Sequence, residues 1–199
     1  MTSILEVEQL DTLSSNASNT ITIGGTNTSN VTFKSGVNFS GITQGITGAD
    51  QWRLTTNFSP TSNAWTLINS GWSRVNNADY GKIGSGITES SGAFAFPSTG
   101  LWKIDFTIVI YVSNATVNYS GGAIYVTTDN SGYYKRTQIY SSIYPQWTTL
   151  GSSYLFNVTD TSTHKVKFFG RSENTSANFI AETNDNATHA TFIRLGDSV

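Results

Sequence analysis

The 199-residue chain has no cysteine and few charged residues. The lack of cysteine excludes disulfides, thiolate zinc sites and cysteine nucleophiles. Charged residues make up only 12% of the chain, which is about half of their usual share of roughly 25%. Because the formal net charge is −2, we expect no binding to nucleic acid and no attraction to an anionic membrane.

The chain also lacks a long apolar segment. Its longest apolar stretch, Phe106 to Val112, is far too short to cross a bilayer, so we expect no membrane insertion. The first eight residues are acidic and contain no apolar run, which predicts that there is no signal peptide. We therefore expect the protein either to stay in the cytosol or to leave the cell within an assembled particle.

Residues that commonly carry catalysis are scarce. The two histidines, His164 and His189, each follow a threonine, and we expect both to be solvated residues at strand starts. The sequence contains no nucleophile elbow, phosphate-binding loop or helical zinc motif. Residues 182–186 offer oxygen ligands for calcium, but the same residue types also form turns. We predict a protein that is not an enzyme and that has no cofactor and no metal.

Composition changes sharply near Asp50. Only Phe33 and Phe39 among the 25 aromatic residues precede it, and a segment with so few large side chains cannot bury a core alone. Ser, Thr, Asn and Gly must form most of the polar surface, and these types favour turns and strand edges over helix interiors. We predict an N-terminal anchor and stalk over residues 1–49 and an all-β domain over residues 50–199.

The first 49 residues nevertheless contain short alternating pieces. Ile21–Ile23, Val31–Phe33 and Val37–Phe39 each alternate apolar and polar residues, and each precedes polar or glycine residues. Such short strands would bury their apolar sides against identical copies around a three-fold axis. A flexible low-complexity linker is the alternative.

Alternation is strongest between Trp102 and Val112. Apolar residues occupy every second position, with Lys103 and Asp105 between them, which is the period of a strand with one buried face. The predicted core strand residues are Trp102, Ile104, Phe106, Ile108 and Ile110. Further strands are predicted at 121–128, 154–158, 165–169, 178–181 and 188–195, with a turn at 129–132. Many short strands separated by turns indicate a sandwich or a barrel.

The segment around this strand resembles a known family. Phe94, Gly100, Trp102, Ile104 and Phe106 occupy the positions of a signature in the globular heads of complement-type proteins, which share a jelly roll with the tumour necrosis factor ligands. The end of the chain, residues 188–195, resembles the last strand of such domains. The resemblance implies a jelly-roll β-sandwich head that forms a homotrimer.

The layout of the whole chain resembles virion proteins of aquatic bacteriophages. A Leu-Glu-Val-Glu-Gln-Leu start, glycine-punctuated short strands and the Asp50-Gln-Trp-Arg-Leu sequence ahead of a head domain carry this second resemblance. It implies a fibre, spike or capsid-decoration protein that is located on the virion and contacts other virion proteins through residues 1–49.

An aromatic run in the second half of the chain is the richest binding feature. Its members are Tyr133, Tyr134, Tyr140, Tyr144 and Trp147. Aromatic faces beside hydroxyl and amide groups suit sugar rings and protein partners alike. These residues are therefore candidates either for a ligand site or for the contact between subunits.

Together these patterns favour a non-enzymatic, trimeric structural protein of a bacteriophage. We expect its jelly-roll head to decorate the particle or to adhere to a glycan or protein of the host surface. Two alternatives stay open. One is a small glycan-degrading or esterase enzyme that acts on the host envelope, and the other is a cellular adhesion protein.

Overall fold

The computed structural model describes residues 45–113, 116–144 and 146–199, so residues 1–44 of the predicted stalk lie outside the described residues. Within these ranges the chain forms twelve β-strands, and no helix long and apolar enough to cross a membrane is found there. The strands are β1 (Ala49–Leu54), β2 (Thr66–Leu67), β3 (Trp72–Arg74), β4 (Thr88–Ser90), β5 (Ala93–Ala95), β6 (Gly100–Val112), β7 (Val117–Thr127), β8 (Tyr134–Ile143), β9 (Gln146–Val158), β10 (Lys165–Ser172), β11 (Ala177–Phe179) and β12 (His189–Gly196).

The strands form two antiparallel sheets that pack face to face. Sheet 1 has the order β9-β6-β12-β1-β3, and β11 pairs with the end of β6 beyond β12. Sheet 2 has the order β4-β5-β10-β7-β8, and β2 pairs with β10 beside β5. The chain passes repeatedly from one sheet to the other, as in a jelly roll. The prediction of an all-β jelly-roll sandwich is confirmed.

Strand β6 lies at the centre of sheet 1 and follows the alternation that the sequence predicts. Its apolar positions point into the core, where Trp102 is 1% exposed and Phe106 is fully buried, while Lys103 and Asp105 are half-buried on the other side. The Phe106 ring contacts Phe168 of sheet 2, with ring centroids 4.6 Å apart. The core therefore consists of side chains that the two sheets direct at each other.

Two glycines permit close approaches that a side chain would block. Gly100 begins β6 with φ at +146°, and an added Cβ would lie 2.6 Å from the carbonyl oxygen of Gly196. At Gly122, in the middle of β7, an added Cβ would lie 2.1 Å from Cδ1 of Ile108 in the opposite sheet. Gly100 lets β6 start beside the end of β12, and Gly122 lets the two sheets pack closely.

Strand β8 and the first half of β9 are not predicted from the sequence. The sequence predicts no strand over 134–143, and it predicts a start at Tyr154 for the strand that begins at Gln146. These strands end their respective sheets and run beside each other, where the hydroxyls of Thr137 and Ser152 are 2.5 Å apart. The edge of β9 that faces away from β6 pairs with no strand among the described residues.

Candidate functional surfaces

The predicted aromatic run divides between the two sheets. Tyr140 lies on β8 of sheet 2, whereas Trp147 lies on β9 of sheet 1. Tyr133 precedes β8 and Tyr134 begins it, and Tyr144 lies between the two strands. The exposed fraction is 78% for Tyr144 and 60% for Tyr134. The structure therefore distributes these residues over two surfaces and does not gather them into one site.

Trp147 forms part of an apolar surface on sheet 1. It lies opposite Tyr111 of β6, and the two ring centroids are 4.7 Å apart. Trp147 is 60% exposed although it contacts Tyr111. At the other end of β9, Leu155 points to the same side and is 54% exposed. Two large apolar side chains are thus presented to solvent on one strand.

The rest of this surface has little charge. Its outward positions on the three neighbouring strands are Leu101, Lys103, Asp105, Thr107, Val109 and Tyr111 of β6, Trp147, Thr149, Gly151, Ser153, Leu155 and Asn157 of β9, and His189, Thr191 and Ile193 of β12. We call this set the sheet 1 face. Its only charged pair is Lys103 with Asp105, whose Nζ and Oδ2 atoms are 2.5 Å apart. Small residues around Gly151 leave a shallow depression of about 250 Å³ in its centre.

The outer side of sheet 2 carries a second aromatic group, which we call the sheet 2 cluster: Trp65, Tyr119, Tyr125 and Tyr140. The Trp65 ring centroid is 5.6 Å from that of Tyr140 and 6.2 Å from that of Tyr125. Tyr119 meets Tyr140 edge to face at 5.9 Å. Burial raises the pKa of the Tyr125 hydroxyl. The cluster assembles residues from β7, β8 and the segment before β2, so it depends on the sheet and not on one stretch of sequence.

Cationic side chains lie over these rings. Lys135 Nζ is 4.9 Å from the Trp65 ring centroid, and the Arg171 guanidinium is 5.3 Å from that of Tyr119. Nearby, Lys167 Nζ is 4.0 Å from the ring centroid of Tyr133. None of these three cations forms a salt bridge within the described part of the chain. Tyr119, Tyr140 and Arg171 line a shallow depression of about 330 Å³.

A buried acid, Asp50, was not predicted as a polar centre. Its carboxylate accepts hydrogen bonds from the backbone N–H of Ile87 at 2.7 Å, from Arg74 Nε at 3.1 Å and from the Tyr80 hydroxyl. Burial and the hydrogen bond to Asp50 raise the pKa of Tyr80 to about 12, so this phenol is protonated at neutral pH. The group joins β1 to β3 and to the segment before β4. The hydrogen-bonding groups of these residues pair with one another, which is typical of a structural network.

The two histidines are both at least half-buried. His164 is only 6% exposed and stacks on Phe156, with ring centroids 5.5 Å apart, so the prediction that it is solvated is wrong. Its ring nitrogens lie 3.2 Å from Thr159 Oγ1 and 3.1 Å from Thr163 Oγ1. His189 is half-buried at the start of β12. Among the described residues, neither imidazole is hydrogen-bonded to a carboxylate.

The oxygen-rich stretch near residue 185 borders a polar cavity of about 300 Å³. Asn184, Asp185 and Asn186 line it together with Asn77 and Asp79. In the part of the chain that the structure describes, no group of three or more His, Cys, Asp or Glu side chains is placed to hold a metal ion. We therefore assign no metal to this cavity.

Comparison with known proteins finds similarity at the level of structure. No protein-family model matches the sequence, and no curated protein matches it. A structure of Eiger TNF from S. frugiperda superposes with a TM-score of 0.57 at 12% identity, covering 76% of this chain and 94% of that one. Murine APRIL, at pH 8.0, superposes with a TM-score of 0.54 at 11% identity, covering 74% and 98%. The PRD1 vertex protein P5 superposes with a TM-score of 0.46 at 18% identity, covering 76% of this chain and 99% of that one.

These similarities define the class of fold. The described residues form an all-β jelly roll of the tumour necrosis factor type. At 11% and 12% identity, the likeness concerns the path of the chain and not a shared activity.

Proposed function

We propose that the protein is a non-enzymatic homotrimer whose sheet 1 faces meet around a three-fold axis. The observation that carries this proposal is the exposure of Trp147 and Leu155 on a surface with a single ion pair. Large aromatic side chains on a face with little charge are enriched at protein interfaces, and a cyclic trimer buries the same face on every subunit.

The free edge of β9 supports the same arrangement. A strand of 13 residues whose one edge has no partner strand among the described residues offers many backbone groups to other chains, and it favours aggregation unless it is covered. A neighbouring subunit that packs against β9 would cover this edge together with Trp147. Trp147 and Leu155 are already about half covered, so burying the rest stabilises the contact by about half of the 1.5–3 kcal/mol that full burial of a large apolar side chain gives.

The finer part of the proposal concerns the place of the protein. We propose that it is a bacteriophage virion protein, either a short spike or fibre or a capsid decoration, attached to the particle through a trimeric stalk formed by residues 1–49. The support is the layout of the sequence, in which an aromatic-poor segment precedes a jelly-roll head. Its task would be to decorate the particle and adhere to a glycan or protein of the host surface. Because one particle carries many heads, weak single contacts add up to a high overall affinity for the host surface.

Two experiments test the proposal. Light scattering of the purified full chain is expected to give three times the 21.5 kDa chain mass, and a monomer at micromolar concentration would overturn the trimer. Labelled antibodies against the head should bind intact particles in electron micrographs, at the tail or on the shell. If purified particles do not contain the protein, the virion assignment is wrong while the trimer stands.

The non-enzymatic part of the proposal has its own test. Incubation of the protein with host-envelope polysaccharide should release no reducing ends. Release that disappears when one acidic residue is replaced would show a depolymerase instead.

A further inference from the structure

Charge is strongly segregated on sheet 2. Five of its strands, β2, β5, β7, β8 and β10, contain no Asp or Glu. Two of them, β8 and β10, carry half of the ten basic residues that follow Asp50: Lys135, Arg136, Lys165, Lys167 and Arg171. A chain with a net charge of −2 therefore has one distinctly cationic face. Such a face raises the local concentration of anionic ligands.

The outward positions of β10 and its neighbours place these cations beside the sheet 2 cluster. Arg171 of β10 lies opposite Gly121 of β7, and Tyr140 of β8 lies opposite the same glycine on its other side. Because Gly121 has no side chain, no side chain of β7 stands between Arg171 and Tyr140, and the backbone of Ile139 lies where a Cβ of residue 121 would be. Arg171 and Tyr140 thus border one depression, with Tyr119 as its third wall.

Arg171 has an unused hydrogen-bond donor at this place. Its Nε is buried and has no partner within the described residues, although the guanidinium lies 5.3 Å from the Tyr119 ring centroid. Buried donors are nearly always paired, and leaving one unpaired costs about 1–3 kcal/mol. Stacking over an aromatic ring does not satisfy an N–H that lies in the guanidinium plane. Because Nε has almost no accessible surface, an anionic acceptor in the depression pairs with it only after the guanidinium turns towards the ligand.

We propose that this face binds an acidic saccharide, with its sugar ring stacked on Tyr140 and its carboxylate held by Arg171. A pyranose presents an apolar C–H side that packs on an aromatic ring, and a planar carboxylate matches the guanidinium in a paired geometry. Tyr140 is 38% exposed, so its ring is accessible to such a ligand. The neighbouring cations Lys135 and Lys167 attract further acidic sugars of the same polymer.

This inference rests on the proposed adhesion function and names the class of ligand for it. The sheet 2 cluster lies on the side of the sandwich opposite to the sheet 1 face. A trimer formed through sheet 1 leaves three such sites accessible, and repeated sites suit a repeating polysaccharide. Nucleic acid is the other polyanion that pairs with cations and aromatic rings. Among the residues that line the depression, Arg171 is the one cation, which suits a single carboxylate better than a row of phosphates.

Calorimetric titration of the full chain tests the inference with three probes. These are a glucuronate-containing tetrasaccharide, its carboxyl-reduced neutral counterpart and a single-stranded DNA oligonucleotide of equal charge. We expect the acidic sugar to bind, and the neutral sugar to bind about tenfold more weakly because it lacks the charge-assisted pair. Equal binding of the two sugars, no binding of either, or tighter binding of the DNA would each overturn the proposal.

Variants locate the site. Arg171→Gln should lower the affinity for the acidic sugar about tenfold and leave that for the neutral sugar unchanged, and Tyr140→Ala should weaken both. Tyr134→Ala is the matched control, because Tyr134 is an exposed tyrosine of the same strand that does not line the depression. If Arg171→Gln does not fold, Lys135→Gln should still reduce affinity for the acidic sugar alone. Unchanged affinity in both Arg171→Gln and Tyr140→Ala would place the ligand elsewhere and overturn the assignment.

The sugar-binding experiment can fail or succeed independently of the trimer proposal. Binding of one sugar to one head is measured per chain and does not depend on the oligomeric state. A monomer that binds the acidic sugar would contradict only the trimer, and a trimer that does not bind it would contradict only the site.

Discussion

Tyr111 and Trp147 lie directly opposite each other on β6 and β9, with ring centroids 4.7 Å apart on the outer side of sheet 1. The Tyr111 ring supports one side of the indole, while Trp147 as a whole is 60% exposed. A rigid aromatic pair with an open outer side is typical of the residues that dominate protein interfaces. This geometry yields the first prediction.

Replacing Trp147 by Arg should dissociate the proposed trimer. A guanidinium in an apolar contact loses its hydration without gaining a partner, because the only charged pair on the sheet 1 face is Lys103 with Asp105. Light scattering should then give the 21.5 kDa chain mass instead of three times that value. Leu155→Arg, at the other end of β9, should have the same effect.

Tyr134→Arg serves as the control for this experiment. Tyr134 is as exposed as Trp147, at 60%, but it lies on β8 of sheet 2. Its substitution should leave the mass unchanged and the far-ultraviolet circular dichroism native-like. A Trp147→Arg protein that keeps the mass of the unsubstituted chain would show that this pair lies outside the interface.

A second prediction concerns the core. Phe106→Asp should abolish folding, because Phe106 is fully buried against Phe168 and an unpaired carboxylate there costs several kcal/mol. Phe106→Leu keeps an apolar side chain and should fold with a lower melting temperature. Circular dichroism separates the two outcomes. A cooperative melting transition in Phe106→Asp would contradict the position of this residue in the core.

The sequence predicts β6 well because the alternation of apolar and polar residues matches the buried and outer sides of this strand. One side of the strand faces the opposite sheet along its whole length, so every second residue from Trp102 to Val112 is apolar. Strand β8 and the first half of β9 escape prediction because they end the sheets. Their core-facing positions include Thr137 and Ser152, which contact each other through hydroxyls, so polarity does not alternate there.

The candidate surfaces are harder to predict, since they depend on long-range pairing. Trp65 and Tyr140 are 75 positions apart in the sequence, and the pairing of β2, β10, β7 and β8 brings their rings to within 5.6 Å. Neighbouring residues of the sequence are separated for the same reason. Tyr140 and Trp147 belong to one aromatic run but to different sheets. Of these features, the sequence alone shows only that residues 134–143 and 165–172 contain Lys and Arg but no Asp or Glu.

A third prediction tests how closely the sheets pack. Gly122→Ala should destabilise the domain, because the new Cβ would meet Cδ1 of Ile108 at 2.1 Å and Cε1 of Phe106 at 2.9 Å. Overpacking of this kind typically costs about 1–3 kcal/mol. Gly81→Ala is the matched control, because nothing lies within 4 Å of its added Cβ. Urea unfolding of both variants measures the difference, and equal midpoints would mean that the sheets tolerate a methyl group at this position.

The last prediction concerns the pH dependence of stability through Tyr80. Its pKa is raised from 10.0 to about 12, first by burial and then by the hydrogen bond to Asp50. A folded-state pKa above the unfolded value gives a stabilising contribution that is complete below pH 10 and is lost as the pH rises towards 12. Tyr80→Phe lacks both the hydrogen bond and the titration. It should be less stable than the unsubstituted chain at pH 8, and the difference should shrink above pH 10.

Chemical unfolding of the two proteins between pH 8 and about 12 measures this difference directly. Absorbance at 295 nm provides an independent reading, since Tyr80→Phe should lose a phenol that ionises late in the titration of the folded protein. Phe substitution of Tyr134, an exposed tyrosine, is the control and should leave the pH dependence of stability unchanged. A stability difference that stays constant with pH would mean that the Tyr80 phenol ionises equally in the folded and unfolded chains, contrary to its contact with the buried Asp50.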